Sequence, residues 1–214
     1  MVVFTGGCNF RCPFCHNRDL VLDPYSMADV PFDYIEERLR KFRKWIERIV
    51  ITGGEPTVHK GLRPTVEAFR ALGLKVKLDT NGSNPEVVKG LVGDGLVDYI
   101  AMDVKGPLDA YERWCGGDVD KARIRESIDF LLEGRVDYEF RMTFVPFLHH
   151  EQDAYAVAEE LRGARRFFLQ DFVPRETVNP KYSSIQPFSP EKMKSVRRTV
   201  EEIFDHAPLS SHLY

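Results

Sequence analysis

Three of the chain's four cysteines lie within one short run, Gly6-Gly7-Cys8-Asn9-Phe10-Arg11-Cys12-Pro13-Phe14-Cys15-His16-Asn17. Thiolates are soft metal ligands, and intervals of four and three residues let one loop present three of them to a common centre. An iron–sulfur cube ordinarily takes a cysteine at each iron. A loop that supplies only three leaves one iron open, and an open iron can bind a substrate or cofactor and hand it an electron. The same residues with His16 also make up a Cys3His set for tetrahedral zinc. Zinc ligands come more often as two separated pairs, and His16 follows Cys15 too directly to reach the same ion with ease. Spacing therefore favours an iron–sulfur site and leaves zinc open. Cysteine is too sparse in 214 residues for a disulfide-stapled scaffold.

Further along the chain come Thr52-Gly53-Gly54-Glu55-Pro56, Asp79-Thr80-Asn81-Gly82, Asp103-Val104-Lys105-Gly106-Pro107, a single Arg141, and Gln170-Asp171. Each has a plain reading when taken alone. Gly53-Gly54 and Asn81-Gly82 are common turn pairs, Asp79 and Asp103 suit loop capping, and Arg141 suits the solvent face of a strand. What alters those readings is where the motifs fall relative to the secondary structure.

Short apolar runs at residues 1–5, 49–51, 74–78, 97–102, 140–145 and 167–169 predict strands. Between them, apolar residues recur at helical spacing. Phe32, Ile35, Leu39, Phe42 and Ile46 follow Pro31; Val66, Phe69 and Leu72 precede Gly73; a short helix follows Pro85. Ile124, Ile128, Leu131 and Leu132 precede Gly134, Ala154, Val157, Ala158 and Leu161 form the next stripe, and Met193, Val196, Val200 and Ile203 the last. This alternation implies parallel strands joined by helical crossovers. The strands are too few for a closed barrel, which leaves an open partial barrel or a doubly wound sheet. With no linker or low-complexity stretch, residues 1–214 read as one domain. In such folds the carboxyl ends of the strands share the face that carries the active site. The polar motifs follow or end the predicted strands and Arg141 lies within the fifth, so Glu55, Asp79, Asp103, Lys105 and Arg141 are expected at one rim beside the cysteine loop.

An apolar fraction of 43% and a charged fraction of 29% fit a soluble globular enzyme, and no apolar run reaches membrane-spanning length. A cytoplasmic location with no membrane partner is expected. The net charge of -3 gives no support for nucleic-acid binding. The basic run from Arg38 to Lys44 falls near a predicted helix end, where cations complement the helix dipole. Cys115, alone in a Trp114-Cys115-Gly116-Gly117 loop, reads as structural.

Cys8, Cys12 and Cys15 after a first strand, with Phe14 before the last of them and Gly53-Gly54-Glu55-Pro56 after a second strand, resemble the radical S-adenosylmethionine superfamily. Cys15-His16-Asn17, Asp79-Thr80-Asn81-Gly82 and Met102-Asp103-Val104-Lys105 further resemble the activating enzymes of glycyl-radical enzymes, of the kind that serve anaerobic ribonucleotide reductase and formate acetyltransferase. The match extends through the fifth strand. It implies an α/β fold, a partial (β/α)6 TIM-like barrel of parallel strands. It also implies an anaerobic oxidoreductase with a [4Fe-4S] cluster on Cys8, Cys12 and Cys15, whose fourth iron is chelated by the amino and carboxylate groups of S-adenosylmethionine. Reductive cleavage of that cofactor yields a 5′-deoxyadenosyl radical, which takes a hydrogen atom from a glycine of a partner glycyl-radical enzyme. A low-potential donor, flavodoxin or ferredoxin, supplies the electron. The alternative within the superfamily is an enzyme acting on a small molecule or a peptide.

The resemblance also assigns roles. The Gly53-Gly54 loop binds the cofactor's amino group through backbone carbonyls, and Glu55 fixes that loop. Lys105 is the expected cation for the methionine carboxylate, with Arg141 as a second candidate. Phe14 stacks on adenine and His16 hydrogen-bonds to it. Asp79, Thr80 and Asp103 are similar to positions that gather a monovalent cation. Asn81 and Val104 are counted with the cofactor contacts. Gln170 or Asp171 stands where formate acetyltransferase activases carry a histidine, and is expected to contact a ribose hydroxyl.

Overall fold

The computed structural model describes residues 1–204. Positions 205–214 of the expected single unit lie outside the described residues. Six strands, β1 (Val2–Thr5), β2 (Arg48–Gly53), β3 (Lys75–Thr80), β4 (Tyr99–Asp103), β5 (Asp137–Phe144) and β6 (Phe167–Asp171), pair in sequence order. Every neighbouring pair is parallel. The order never reverses, as a doubly wound sheet requires, and β1 and β6 remain the two edges. The sheet is an open partial barrel.

The helices are α1 (Arg18–Leu22), α2 (Phe32–Lys41), α3 (Leu62–Ala71), α4 (Pro85–Gly93), α5 (Glu112–Cys115), α6 (Lys121–Leu132), α7 (Glu151–Glu160) and α8 (Pro190–Phe204). The short pieces α1 and α5 carry too few residues to display a period, so the apolar pattern gives no sign of them. The expected stripe to Ile46 also overshoots, because α2 stops at Lys41. There the chain must turn back to enter β2, and the Arg43 guanidinium holds the turn by donating to the Ile46 and Gly73 carbonyls. None of the described helices is long and apolar enough to cross a membrane.

Alternation along each strand separates two faces of different chemistry. Ile49, Ile51, Val76, Leu78, Ile100, Met102, Phe140 and Met142 are buried in the apolar core, with Val66 and Phe69 of α3 and Ile124 and Ile128 of α6. The opposite, inner face carries Thr52, Lys77, Asp79, Tyr99, Asp103, Glu139, Arg141 and Thr143, aligned by register pairs such as Lys77 with Tyr99 and Asp103 with Arg141. Parallel sheets are commonly apolar on both faces. Here the polar inner face lines the barrel.

His149, in the loop after β5, ties the upper loops together. Its Nδ1 accepts the Val145 N–H at 3.0 Å, so its Nε2–H donates to the Lys105 carbonyl at 2.8 Å. The ring stacks on Trp114 and Phe144 and meets Phe14 edge-on. Burial lowers its pKa from 6.5 to about 4. The unfolded chain then binds this proton more readily, so stability is lost as pH falls from 6.5 towards 4. Chemical unfolding across that window is expected to show a loss of up to about 3 kcal/mol from this group. His149→Gln should remove that part of the slope, whereas a slope unchanged by the substitution would exclude His149 as its source.

Candidate functional site

The cysteine loop leaves β1 at Gly6 with almost no regular structure of its own until α1. It is held by the loops that follow the other strands. Gly54 donates its N–H to the Thr5 carbonyl and Glu55 donates to the Gly7 carbonyl, both at 2.9 Å. The Asn17 side chain donates to the Gly53 carbonyl at 2.5 Å. After β3, Asn81 donates to Asn9 at 2.9 Å, and Asn9 in turn donates to Ser83 at 2.8 Å. After β4, the Cys115 carbonyl accepts the Arg11 N–H at 2.7 Å. After β6, Val178 and Asn179 donate to the Cys15 and Pro13 carbonyls.

Two glycines make the first of these contacts possible. Gly53 has φ +119°, and a Cβ there would stand 2.4 Å from the Thr5 oxygen. A Cβ on Gly54 would lie 1.8 Å from the Gly7 oxygen. Next to them Glu55 is buried, with four donors around its carboxylate. Oε1 accepts from the Thr57 N–H (3.1 Å), the Thr57 hydroxyl (2.5 Å) and the Thr80 hydroxyl (2.7 Å), and Oε2 accepts from the Asn81 N–H (2.6 Å). Burial pushes the Glu55 carboxyl above its ordinary value against the pull of these donors.

Cys8, Cys12, Cys15, Phe14 and His16 line one cavity with Gly53, Gly54, Glu55, Asp79, Thr80, Asn81, Asp103 and Lys105. Arg141, Val104 and Gln170 do not reach that lining. Arg141 lies beneath it, donating from Nε to Asp103 at 2.8 Å and facing Asp79 at 3.4 Å. Val104 is buried and donates its N–H to the Arg141 carbonyl, and Gln170 sits in β6 beside Thr143. Lys105 reaches the cavity while pairing with Asp103 at 3.3 Å. Burial alone would raise Asp103, but Arg141 and Lys105 outweigh it and hold the carboxyl at about 2. Asp79 Oδ1 is buried with no hydrogen-bond partner among the described residues, the Lys77 ammonium standing 3.8 Å away.

The sulfur set fits a cluster better than a single ion. Among the described residues, no three His, Cys, Asp or Glu side chains converge as one zinc ion requires. His16 is turned elsewhere: its Nε2–H donates to the Val173 carbonyl at 2.8 Å and its ring stacks on Phe172. A cube takes each thiolate at a separate iron and needs no such convergence. Burial pushes Cys8 up to about 11 and raises Cys15 too, so these thiols keep their protons until a binding metal displaces them into solvent. Sequence reasoning gave no role to Asn9, Thr143 or His149, and quoted Asn17 only as part of the Cys15-His16-Asn17 motif. The two asparagines flank the cysteines and carried the only available signal.

A parallel half-barrel with a three-thiol loop at its mouth and a wall of paired charges beneath defines a metal-cluster enzyme of the α/β class. Residues 2–159 match the model of the Radical SAM superfamily, and the chain belongs to that superfamily. A Methanocaldococcus jannaschii protein, provisionally named a glycyl-radical enzyme activating enzyme, is 29% identical over 212 residues, covering 96% of this chain and 86% of its own length. A 7-carboxy-7-deazaguanine synthase of Neisseria meningitidis is 30% identical over 131 residues, 60% of this chain and 55% of that protein. Among solved structures, Streptococcus suis SuiB bound to its precursor peptide SuiA superposes with TM-score 0.69 at 15% identity, over 95% of this chain and 44% of SuiB. That likeness is one of fold.

Glu55→Gln tests the pin between the loops. Whichever way the amide turns, its NH2 faces the Asn81 N–H or the Thr57 N–H, donor against donor. A loss of about 1–3 kcal/mol in urea unfolding is expected. An unchanged midpoint would show that Glu55 does not hold the loops.

Proposed function

We propose that this chain activates a glycyl-radical enzyme. The likeness to the provisionally named activating enzyme carries the reading, because it runs along 96% of the chain. Residues 1–214 would act as one radical S-adenosylmethionine core. Cys8, Cys12 and Cys15 hold a [4Fe-4S] cluster, and the cavity beside them takes the methionine end of S-adenosylmethionine. When bound, cluster and cofactor would supply reductive cleavage of the sulfonium C–S bond with one electron from a low-potential donor, methionine leaving and the 5′-deoxyadenosyl fragment taking a hydrogen atom from a glycine of the partner to become 5′-deoxyadenosine.

The chain's own residues bind and orient. The ammonium of the cofactor meets the carbonyl edge of the Gly53-Gly54 turn, which Glu55 keeps in place. Lys105 meets the carboxylate while Asp103 holds its charge. Arg141 acts from below by fixing Asp103 and Asp79 rather than by direct contact. Phe14 and His16 present rings on the adenine side, with His16 braced by Val173 and Phe172. Asp79 Oδ1, buried and short of a donor, suits the sulfonium end or a monovalent cation there. Gln170, paired in register with Thr143 of the cavity lining, is kept for a ribose hydroxyl.

The likeness to 7-carboxy-7-deazaguanine synthases supports a second reading, in which a small molecule is the hydrogen donor. The test is anaerobic reconstitution with iron and sulfide, reduction, and assay of 5′-deoxyadenosine with and without a glycyl-radical enzyme. Product together with a glycyl electron-spin signal on the partner is expected. Product that forms only with a small molecule, and never a glycyl signal, would favour the second reading. Cys12→Ala should abolish cluster assembly and cofactor cleavage while leaving the circular-dichroism spectrum of the fold in place, and cleavage surviving in that variant would refute the ligand assignment.

A further inference from the structure

After β5 the chain closes a tight loop between Val145 and His149. The His149 N–H donates to the Val145 carbonyl at 2.9 Å, and the Val145 N–H returns to His149 Nδ1 at 3.0 Å. Phe147 sits at the tip with φ +64°, and among the described residues no other side-chain-bearing residue takes a positive φ. That region strains a bulky side chain, whereas glycine enters it freely. The Phe147 ring is nevertheless 85% exposed, so it returns little to the core for that strain.

A charged rim adjoins this ring. Arg113 of α5 is exposed and donates from Nη2 to the Leu148 carbonyl at 3.1 Å, one residue from Phe147. Two residues on from Arg113, the Cys115 carbonyl accepts the Arg11 N–H at 2.7 Å. Gly116 permits that approach, since a Cβ on it would stand 2.3 Å from the Arg11 oxygen. Arg11 is exposed and folds back over the cysteine loop, donating to the Cys8 and Phe10 carbonyls at 2.5 and 2.8 Å. Among the described residues neither arginine pairs with a carboxylate, and Glu112 beside Arg113 is held by Lys121 at 3.3 Å. Arg11, Arg113 and Phe147 are all absent from the cavity lining, although Arg11 directly precedes Cys12.

We propose that Phe147, Arg113 and Arg11 form a docking surface for an acidic electron-transfer protein, which reduces the cluster from the outer side of the cysteine loop. The inference rests on the proposed cluster assignment. An exposed aromatic serves as the anchor, and two guanidinium groups serve as its rim. Charge decides the occupant, because cations that lack acids in their own chain call for carboxylates on a partner. Position decides its role. A protein that gives up a hydrogen atom must put its glycine into the cavity, whereas one that gives up an electron needs only to stand beside the cluster loop. One electron leaves the docked protein, which is oxidised, and the cluster is reduced; no bond or proton moves.

Calorimetric titration of an acidic flavodoxin into the reconstituted holoenzyme tests this, with melting temperature and the rate of cluster reduction by dithionite as controls. Arg113→Glu and Phe147→Gly should each weaken the flavodoxin Kd about tenfold. Arg113→Lys keeps the charge and should hold most of the affinity. Added salt should weaken binding to wild type more than to Arg113→Glu. Dithionite, too small to need a docking surface, should reduce all four proteins alike, and Phe147→Gly should melt no lower than wild type because it relieves the left-handed strain. A wild type that does not bind flavodoxin, or variants that bind it as tightly as wild type, would overturn the inference. So would slower reduction of the variants by dithionite, a lower melting temperature for Phe147→Gly, or variants that keep flavodoxin and lose a glycyl-radical enzyme instead. A wild type that assembles no four-iron cluster would overturn the cluster assignment and the inference together. Flavodoxin-driven reduction with the expected losses, but never a glycyl signal, would support the inference and count against the proposed activity alone.

Discussion

The structure depends on a backbone contact that no side chain could permit. The turn after β2 passes against the start of the cysteine loop so closely that a Cβ on Gly54 would lie 1.8 Å from the Gly7 oxygen. At that approach the Glu55 N–H reaches the Gly7 carbonyl, and the cysteine loop takes its register from the Gly53-Gly54 turn. Glu55 then extends the constraint to β3, since its carboxylate gathers donors from Thr57, Thr80 and Asn81. A single buried acid thus aligns three strand ends.

The inner face of the barrel sets the electrostatic frame below that contact. Asp79, Asp103 and Glu139 stand opposite Lys77, Lys105 and Arg141, and Arg141 touches all three carboxylates. Burying isolated charges would be costly, and the interleaving of β3, β4 and β5 by register keeps them paired. Lys105 stands at the top of this array, where its charge faces the cavity. Lys105 and Asp79 line the cavity, and Lys77 and Arg141 pair with Glu139 behind them.

Much of this was legible in the sequence, for reasons that can be named. The helix stripes and apolar runs give the order and direction of the strands, because helical crossovers force parallel pairing. The rim was readable because most of the polar motifs end or directly follow a strand. Periodicity was silent on α1 and α5, which hold too few residues to show it, and it carried α2 past Lys41 because the turn is made by a single arginine rather than by a glycine or proline. Arg141 reads as a second candidate, after Lys105, for the cofactor's carboxylate. Its register opposite Asp103 consumes its charge in the wall. Cys115 reads as structural from sequence, and in the fold it is buried, with its carbonyl accepting the Arg11 N–H of the cysteine loop.

The central claim is that three thiolates hold a cube whose remaining iron takes the methionine end of S-adenosylmethionine. Mössbauer spectroscopy of the iron-57 reconstituted protein, with and without that cofactor, tests it most directly. The account predicts that one iron of the cluster changes its isomer shift on addition, as a site that gains nitrogen and oxygen ligands, while the others hold theirs. A spectrum in which every iron stays the same would contradict it.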